Sequence, residues 1–284
     1  MEVNKIVVCG AGTMGSGITL VAAQSGYEVV QYDLQLDMLE KSKQSINDQL
    51  DKLVQKEKLS IAQKEAILNR ILFTDRLENC VGDAIIEAIV EKLEIKAKLF
   101  QDLQLINTPK TIFATNTSSL SIGAIAQQMK YPEKLAGMHF FNPAPIMKLV
   151  EIVKIDATDS DTIQTLLQLA TTMKKVAVLC KDVPGFIVNR VARPYYLEAM
   201  RMIEKGLISD VADIDKIMES FGFKMGPFKL MDLIGMDINY AVSNIVWQAL
   251  HHPERLTPSP IQKAKVEAGN LGRKTGSGFY QYAK

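Results

Sequence analysis

Through its first two thirds the chain alternates short, unbroken apolar runs with longer stretches in which apolar residues recur at helical spacing. Lys5-Ile6-Val7-Val8-Cys9 reads as a buried strand, and Ile18, Leu20, Val21, Ala22 and Ala23 as the helix that follows it. Tyr27 to Tyr32 predicts a second strand. Residues 36–70 read as a pair of charged helices, with Leu39, Ile46, Leu50, Leu53 and Val54 on one face. Strand candidates then recur at Ile71–Phe73, Ala84–Ile86, Thr111–Ala114, Leu135–His139, Leu149–Val153 and Val176–Leu179, with helices predicted at Lys92–Leu105 and Asp161–Met173. Such alternation predicts an α/β fold, a doubly wound sheet with helices on both faces. At Asp182-Val183-Pro184-Gly185 the pattern changes. Beyond it only helical periodicity remains, at Ile187–Lys205, Val211–Ser220, Leu230–Leu250 and Ile261–Ala268. The expected organisation is a Rossmann-type domain over residues 1–183 and a smaller all-helical domain over 184–284. The helical domain is expected to contribute to the substrate pocket and to pair with a second copy as a homodimer.

Composition narrows the classes. The chain has 284 residues, 47% of them hydrophobic, which suits two domains with sizeable cores. A net charge of +1 provides no field for nucleic acid or an anionic membrane, and no apolar run is long enough to span a bilayer. Three widely spaced cysteines, Cys9, Cys80 and Cys180, fit reduced thiols better than a disulfide framework. Cys9 and Cys180 fall in apolar strands and are expected to be small buried hydrophobes. The first strand opens within a few residues of the N-terminus, which argues against a secretory leader, and a cytoplasmic setting is expected. No Cys/His cluster has metal-ligand spacing, so no metal is expected.

The first strand runs into Gly10-Ala11-Gly12-Thr13-Met14-Gly15, a G-x-G-x-x-G turn, and the second strand ends in Asp33. Strand, glycine turn, helix, strand and terminal acid in that order make a dinucleotide-binding unit. Gly10 permits the turn, Gly12 lets the backbone approach a pyrophosphate at the helix N-terminus, and Gly15 lets helix and sheet pack closely. Asp33 accepts hydrogen bonds from a ribose hydroxyl and would repel a 2′-phosphate. Leu34, Gln35 and Leu36 bring no compensating cation, so NAD is favoured over NADP.

A second constellation is His139-Phe140-Phe141-Asn142-Pro143, followed after a proline turn by Leu149-Val150-Glu151. An imidazole can exchange a hydroxyl proton near neutral pH, and a carboxylate on its other nitrogen fixes the tautomer. Read alone, His139 could equally be a hydrogen-bonded core histidine. With Ala88-Ile89-Val90-Glu91, Asn116-Thr117-Ser118-Ser119-Leu120, Lys181 to Arg190, Met225-Gly226-Pro227-Phe228 and Gly272 to Tyr280, the chain closely resembles the 3-hydroxyacyl-CoA dehydrogenase family over essentially its whole length. The resemblance is in particular to the compact bacterial 3-hydroxybutyryl-CoA dehydrogenases.

That resemblance implies NAD-dependent interconversion of 3-hydroxybutyryl-CoA and acetoacetyl-CoA, an acyl-CoA substrate. It implies His139 as acid/base, Glu151 as its partner and Ser118 on the substrate oxygen. Asn142 and Asn189 would help hold the substrate and the catalytic histidine, with Asn189 counted in the catalytic set. Gly10, Gly12, Thr13, Met14, Gly15, Asp33, Glu91, Lys96 and Asn116 would line the cofactor, and Lys52 and Lys56 would meet the phosphates of coenzyme A. Two other readings stay open at this point. One is a two-domain dehydrogenase of free hydroxy acids, which usually recruits a lysine as acid/base. The other is a non-enzymatic NAD-binding or structural protein, which does not require the His/Glu/Ser/Asn set.

Overall fold

The computed structural model describes residues 2–283 and divides into two compact units, Met1–Asp182 and Val183–Lys284. The first unit runs β1 (Lys5–Cys9), α1 (Thr13–Gln24), β2 (Glu28–Tyr32), α2 (Leu36–Gln55), α3 (Ile61–Leu68), β3 (Ile71–Thr74), β4 (Ala84–Glu87), α4 (Leu93–Ile106), β5 (Ile112–Thr115), α5 (Ile122–Ala126), β6 (Leu135–Phe140), β7 (Leu149–Lys154), α6 (Ser160–Thr172) and β8 (Val176–Lys181). The eight strands form one sheet in the order β3-β2-β1-β4-β5-β6-β7-β8. All neighbours are parallel except β6 and β7, which run antiparallel. The order reverses between β1 and β4, so the carboxyl ends of β1, β4 and β5 flank the crevice where ligands bind in such sheets. The central strands are buried on both faces, which explains their unbroken apolar runs. Cys180 departs from expectation: it is half-buried, because β8 is an edge strand covered on fewer sides than β1.

The second unit is helical: α7 (Val188–Glu204), α8 (Val211–Ser220), α9 (Pro227–Ile234), α10 (Met236–Ala249) and α11 (Pro260–Glu267). The continuous helix expected over Leu230–Leu250 is in fact α9 and α10, separated at Gly235. Its φ of 102° lies outside helical space and is open to glycine at little cost. Tyr196, Met200, Phe228, Met231, Met236 and Val246 centre the core. Two buried aspartates bind the last segment to this core. Asp232 accepts from Phe279 N, Tyr280 N and the Tyr282 hydroxyl, and Asp215 accepts from Phe228 N, Lys229 N and the Tyr280 hydroxyl.

In the first unit, α6 lies against β6, β7 and β8, the part of the sheet that carries His139 and Glu151. Asp159 caps it, accepting from Thr162 N at 2.6 Å and pairing with Lys134 at 2.6 Å. Burial works against the Asp159 charge, but the Lys134 and Thr162 bonds outweigh it and hold the carboxyl below the usual range. Asp159→Ala should therefore lower unfolding free energy at pH 7 by about 1 kcal/mol. The folded carboxyl titrates below its unfolded value, so this difference is present at neutral pH and shrinks as pH falls through the acid range. Urea unfolding of wild type and variant across that range checks both the size and the sign.

Candidate active site

The glycine turn is shaped by close approach. Gly10 has φ +110°, and a Cβ there would lie 2.5 Å from the Ala88 carbonyl oxygen. A Cβ at Gly15 would collide with the Gly10 carbonyl oxygen, whereas one at Gly12 would meet nothing within 4 Å. Open space thus lies at the N-terminus of α1, where free N–H groups and the helix dipole favour an anion. Thr13 and Met14 form the first turn of this helix. Asp33 does more than end β2. Its Oδ2 accepts from Ala11 N at 2.8 Å and its Oδ1 from Gln35 N at 3.0 Å. A carboxylate offers about four lone-pair sites, so it can brace the turn and still accept from a ribose hydroxyl. Behind the turn, buried Gln31 donates to Gly10 O at 3.3 Å and accepts from Ser42 at 2.7 Å.

His139 and Glu151 are directly paired residues of the antiparallel β6–β7 ladder. Nδ1 lies 2.7 Å from Glu151 Oε2, with His139 6% and Glu151 1% exposed. A carboxylate oxygen accepts, so Nδ1 is the donor of this bond and Nε2 is the nitrogen directed away from the pair. The Phe141 ring lies 4.5 Å from the imidazole centroid. The turn between the strands is fixed from outside: the Lys175 ammonium donates to Ala144 O at 2.5 Å and Met147 O at 2.9 Å. A Cβ on Gly17 of α1 would sit 3.1 Å from the Ala144 side chain, so helix and turn are in close contact. Asn142, in this turn, is exposed.

The Asn116–Ser119 segment leaves β5 beside this pair. Asn116 Oδ1 accepts from Phe140 N at 2.7 Å, linking the segment to the strand of His139. Glu91 gathers the rest. Its Oε1 accepts from the Thr117 hydroxyl at 2.5 Å, Ser118 N at 3.1 Å and the Ser119 hydroxyl at 3.1 Å. Lys96 is 1% exposed and bridges Glu91, at 3.1 Å, to Glu87, at 2.6 Å. Glu87 is fully buried at the carboxyl end of β4 and also accepts from Thr115 Oγ1 and Ile89 N, each at 2.7 Å. Burial raises the Glu87 carboxyl above its ordinary value despite the adjacent ammonium. Burial pushes Glu91 the same way, but Lys96 and the Thr117 bond outweigh it and the Glu91 carboxyl is lowered.

Sequence reading missed Glu87, Thr117 and Lys175. The signal for Glu87 was present: a lone acid closing the apolar run Ala84-Ile85-Ile86, where the chain enters the crevice. Lys52, in the last turn of α2, and Lys56, at its C-cap, are exposed. Asn189 lies in the first turn of α7 in the second unit and is half-buried. No group of three or more His, Cys, Asp or Glu able to hold a metal ion occurs among the described residues.

Known proteins resemble this chain along its length. The family model described as "3-hydroxyacyl-CoA dehydrogenase, NAD binding domain" matches residues 5–183, and the "3-hydroxyacyl-CoA dehydrogenase, C-terminal domain" model matches 185–282. The chain is 42% identical to an Escherichia coli 3-hydroxyadipyl-CoA dehydrogenase, over 99% of its own length but only 60% of that protein's. It is 41% identical to a Deinococcus radiodurans protein named probable 3-hydroxybutyryl-CoA dehydrogenase, covering 98% of this chain and 100% of that one. The crystal structure of (S)-3-hydroxybutyryl-CoA dehydrogenase PaaH1 from Ralstonia eutropha superposes with a TM-score of 0.94 at 34% identity, over the whole of both chains.

The Lys96 bridge supplies a stability prediction. Lys96→Met leaves the Glu87 carboxyl buried with no cation, and removing one partner of a buried pair costs about 3 kcal/mol or more. In the variant, Glu87 must fold protonated. Its folded pKa rises further above the unfolded value, so stability is retained at low pH and lost as pH rises. Urea unfolding at pH 5 and pH 7.5 should show a larger deficit at pH 7.5. Equal deficits at both would mean that Glu87 is not the group left unpaired.

Proposed function

The chain belongs to the 3-hydroxyacyl-CoA dehydrogenase family and carries that family's NAD-binding domain, and from this premise we propose that it interconverts (S)-3-hydroxybutyryl-CoA and acetoacetyl-CoA. The observation that carries the reading is the buried His139–Glu151 pair, 2.7 Å apart and linked through Phe140 and Asn116 to the Ser118 turn. The names of the Deinococcus and Ralstonia relatives support the four-carbon acyl chain. NAD, when bound, accepts the hydride from C3 or returns it.

In oxidation, His139 Nε2 removes the C3 hydroxyl proton, and in reduction the imidazolium returns a proton to the forming alkoxide. Glu151, on Nδ1, holds the ring in the required tautomer and stabilises the imidazolium. The Ser118 hydroxyl hydrogen-bonds the substrate oxygen, and Asn142 and Asn189 are further substrate contacts. The α1 N-terminus, with Gly10, Gly12, Thr13, Met14 and Gly15, takes the pyrophosphate. Asp33 takes the adenosine ribose, and Glu91 and Asn116, with Lys96 behind Glu91, shape the nicotinamide end. Lys52 and Lys56, exposed near the end of α2, take the phosphates of coenzyme A. In this reading residues 1–183 form the cofactor domain, while residues 184–284 complete the substrate pocket and mediate a homodimer. Exposed Ile217, Phe221 and Phe223 support the dimer. Free Cys9, Cys80 and Cys180 support a reducing, cytoplasmic setting.

Oxidation of NADH by acetoacetyl-CoA tests the activity directly, and its absence would refute the reading. His139→Ala should lose on the order of 10²–10⁴ in kcat, the usual scale for a general acid or base. NADH affinity, followed by fluorescence titration, should stay close to wild type. Near-normal turnover in a folded variant would remove His139 from the chemistry.

Cofactor choice follows from Asp33. Wild type should favour NADH over NADPH in kcat/KM. Exchanging Asp33 for a small neutral residue with a neighbouring arginine should reverse the order. The same exchange removes the acceptor for Ala11 N, so the variant's best kcat/KM should stay below that of wild type with NADH. Equal or higher activity with NADPH would mean that the brace on Ala11 is dispensable.

A further inference from the structure

The helical unit buries a cation that meets no anion among the described residues. Arg193 of α7 is 3% exposed. Its Nη1 donates to Asn239 O at 2.8 Å and Ser243 Oγ at 3.1 Å, and its Nε to Asn189 O at 3.2 Å. The guanidinium carbon lies 4.9 Å from the centre of the Tyr196 ring. Among the described residues no carboxylate pairs with it. Burial pulls the guanidinium down to about 10, with only Tyr196 opposing. A guanidinium stays charged at neutral pH, and buried charges are ordinarily paired.

A second orphan lies in the same cluster. Asn239, Ser243 and Gln262 are 1%, 1% and 0% exposed. The Gln262 amide is oriented by Ser259 N, which donates to its Oε1 at 3.1 Å, so its Nε2 must donate. It does so to Asn239 Oδ1 at 2.6 Å and Ser243 Oγ at 3.1 Å. That fixes the Asn239 amide in turn and leaves its Nδ2 sealed from solvent with no acceptor. The cluster therefore offers donors from Arg193 and Asn239 in excess of its acceptors. A carboxylate, which only accepts and offers about four lone-pair sites, supplies what is missing.

We propose that Arg193 and Asn239 form a carboxylate subsite for the far end of the acyl chain, so that the preferred substrates are 3-hydroxyacyl-CoA thioesters ending in a carboxylate. This rests on the dehydrogenase reading above, with Asn189 on the substrate. Asn189 and Arg193 are four residues apart on α7 and share a face, roughly 6 Å between Cβ atoms. In a six-carbon acyl chain the terminal carboxylate lies three C–C bonds of about 1.5 Å beyond the reacting carbon, roughly 4 Å when extended.

The test compares three thioesters with NADH: acetoacetyl-CoA, 3-oxohexanoyl-CoA, which ends in methyl, and 3-oxoadipyl-CoA, which has the same length and ends in carboxylate. Wild type should prefer 3-oxoadipyl-CoA over 3-oxohexanoyl-CoA by about tenfold or more in kcat/KM, the scale of a charge-assisted hydrogen bond. Arg193→Met should bring that ratio to about one, since it removes the charge and keeps much of the apolar volume. Asn239→Asp places a carboxylate of the chain's own beside Arg193. It should also abolish the preference while raising the thermal midpoint, and it carries the test if Arg193→Met does not fold. A wild-type ratio near one, or a ratio unchanged in both variants, overturns the subsite. If sodium acetate raises the midpoint of wild type but not of Arg193→Met while the wild-type ratio stays near one, the cluster holds a small adventitious anion only, and the proposal falls. Turnover of acetoacetyl-CoA without the six-carbon preference leaves the reaction class standing, whereas no turnover of any of the three removes both readings.

Discussion

The site depends on one reversal of strand direction. Among the described residues β6 and β7 are the only antiparallel neighbours in an otherwise parallel sheet, and this places His139 directly opposite Glu151. Side chains alternate faces with a period of two, so a slip of one residue in this ladder would send the carboxylate to the other face. Several features hold the register. Lys175 ties down the connecting turn, α1 packs against Ala144 through the bare Cα of Gly17, and α6 backs both strands. Asn116 then transfers the register to the Ser118 segment by accepting from Phe140 N.

The fold was legible because its signals are local. Unbroken apolar runs mark strands buried on both faces, and the glycine turn and Asp33 fall within one β-α-β unit. Errors arose where a single residue overrides a pattern. The apolar spacing of 230–250 is continuous, yet Gly235 divides it, and Cys180 sits in an apolar strand that happens to be at the sheet edge. His139 and Glu151 were readable as a pair because a short turn joins their strands. Glu87 was not, since its meaning lies in Lys96 nine residues on and Thr115 twenty-eight residues on. Lys175 is thirty-one residues from Ala144, and nothing in its own neighbourhood points there. Without the family resemblance, Ser118 and Asn116 would have read as ordinary turn residues.

The two units treat buried charge differently. In the first, Lys96 lies between two carboxylates, and each carboxylate takes further donors from the backbone or hydroxyl groups. In the helical unit the buried aspartates, Asp215 and Asp232, accept from backbone N–H groups and tyrosine hydroxyls, and among the described residues neither they nor the buried cation Arg193 forms an ion pair. Buried polar groups are costly when incompletely partnered. The first arrangement closes on itself, whereas the second leaves donors available.

The strapping of residues 279–282 by Asp232 and Asp215 has a consequence for biosynthesis. Asp232 is translated forty-seven residues ahead of its first donor, Phe279, and Asp215, which meets Phe228 N and Lys229 N early, is translated sixty-five residues ahead of its last, Tyr280. While the chain is still emerging from the ribosome, α8 and α9 can form as helices, but packing them fully would bury Asp232 before residues 279–282 supply its donors. In the first unit the brace on the glycine turn, the Glu87–Lys96–Glu91 bridge and the His139–Glu151 bond each join residues before 182. Vectorial synthesis thus sets an order within the helical unit, whose packing around Asp232 waits for residues 279–282 to arrive.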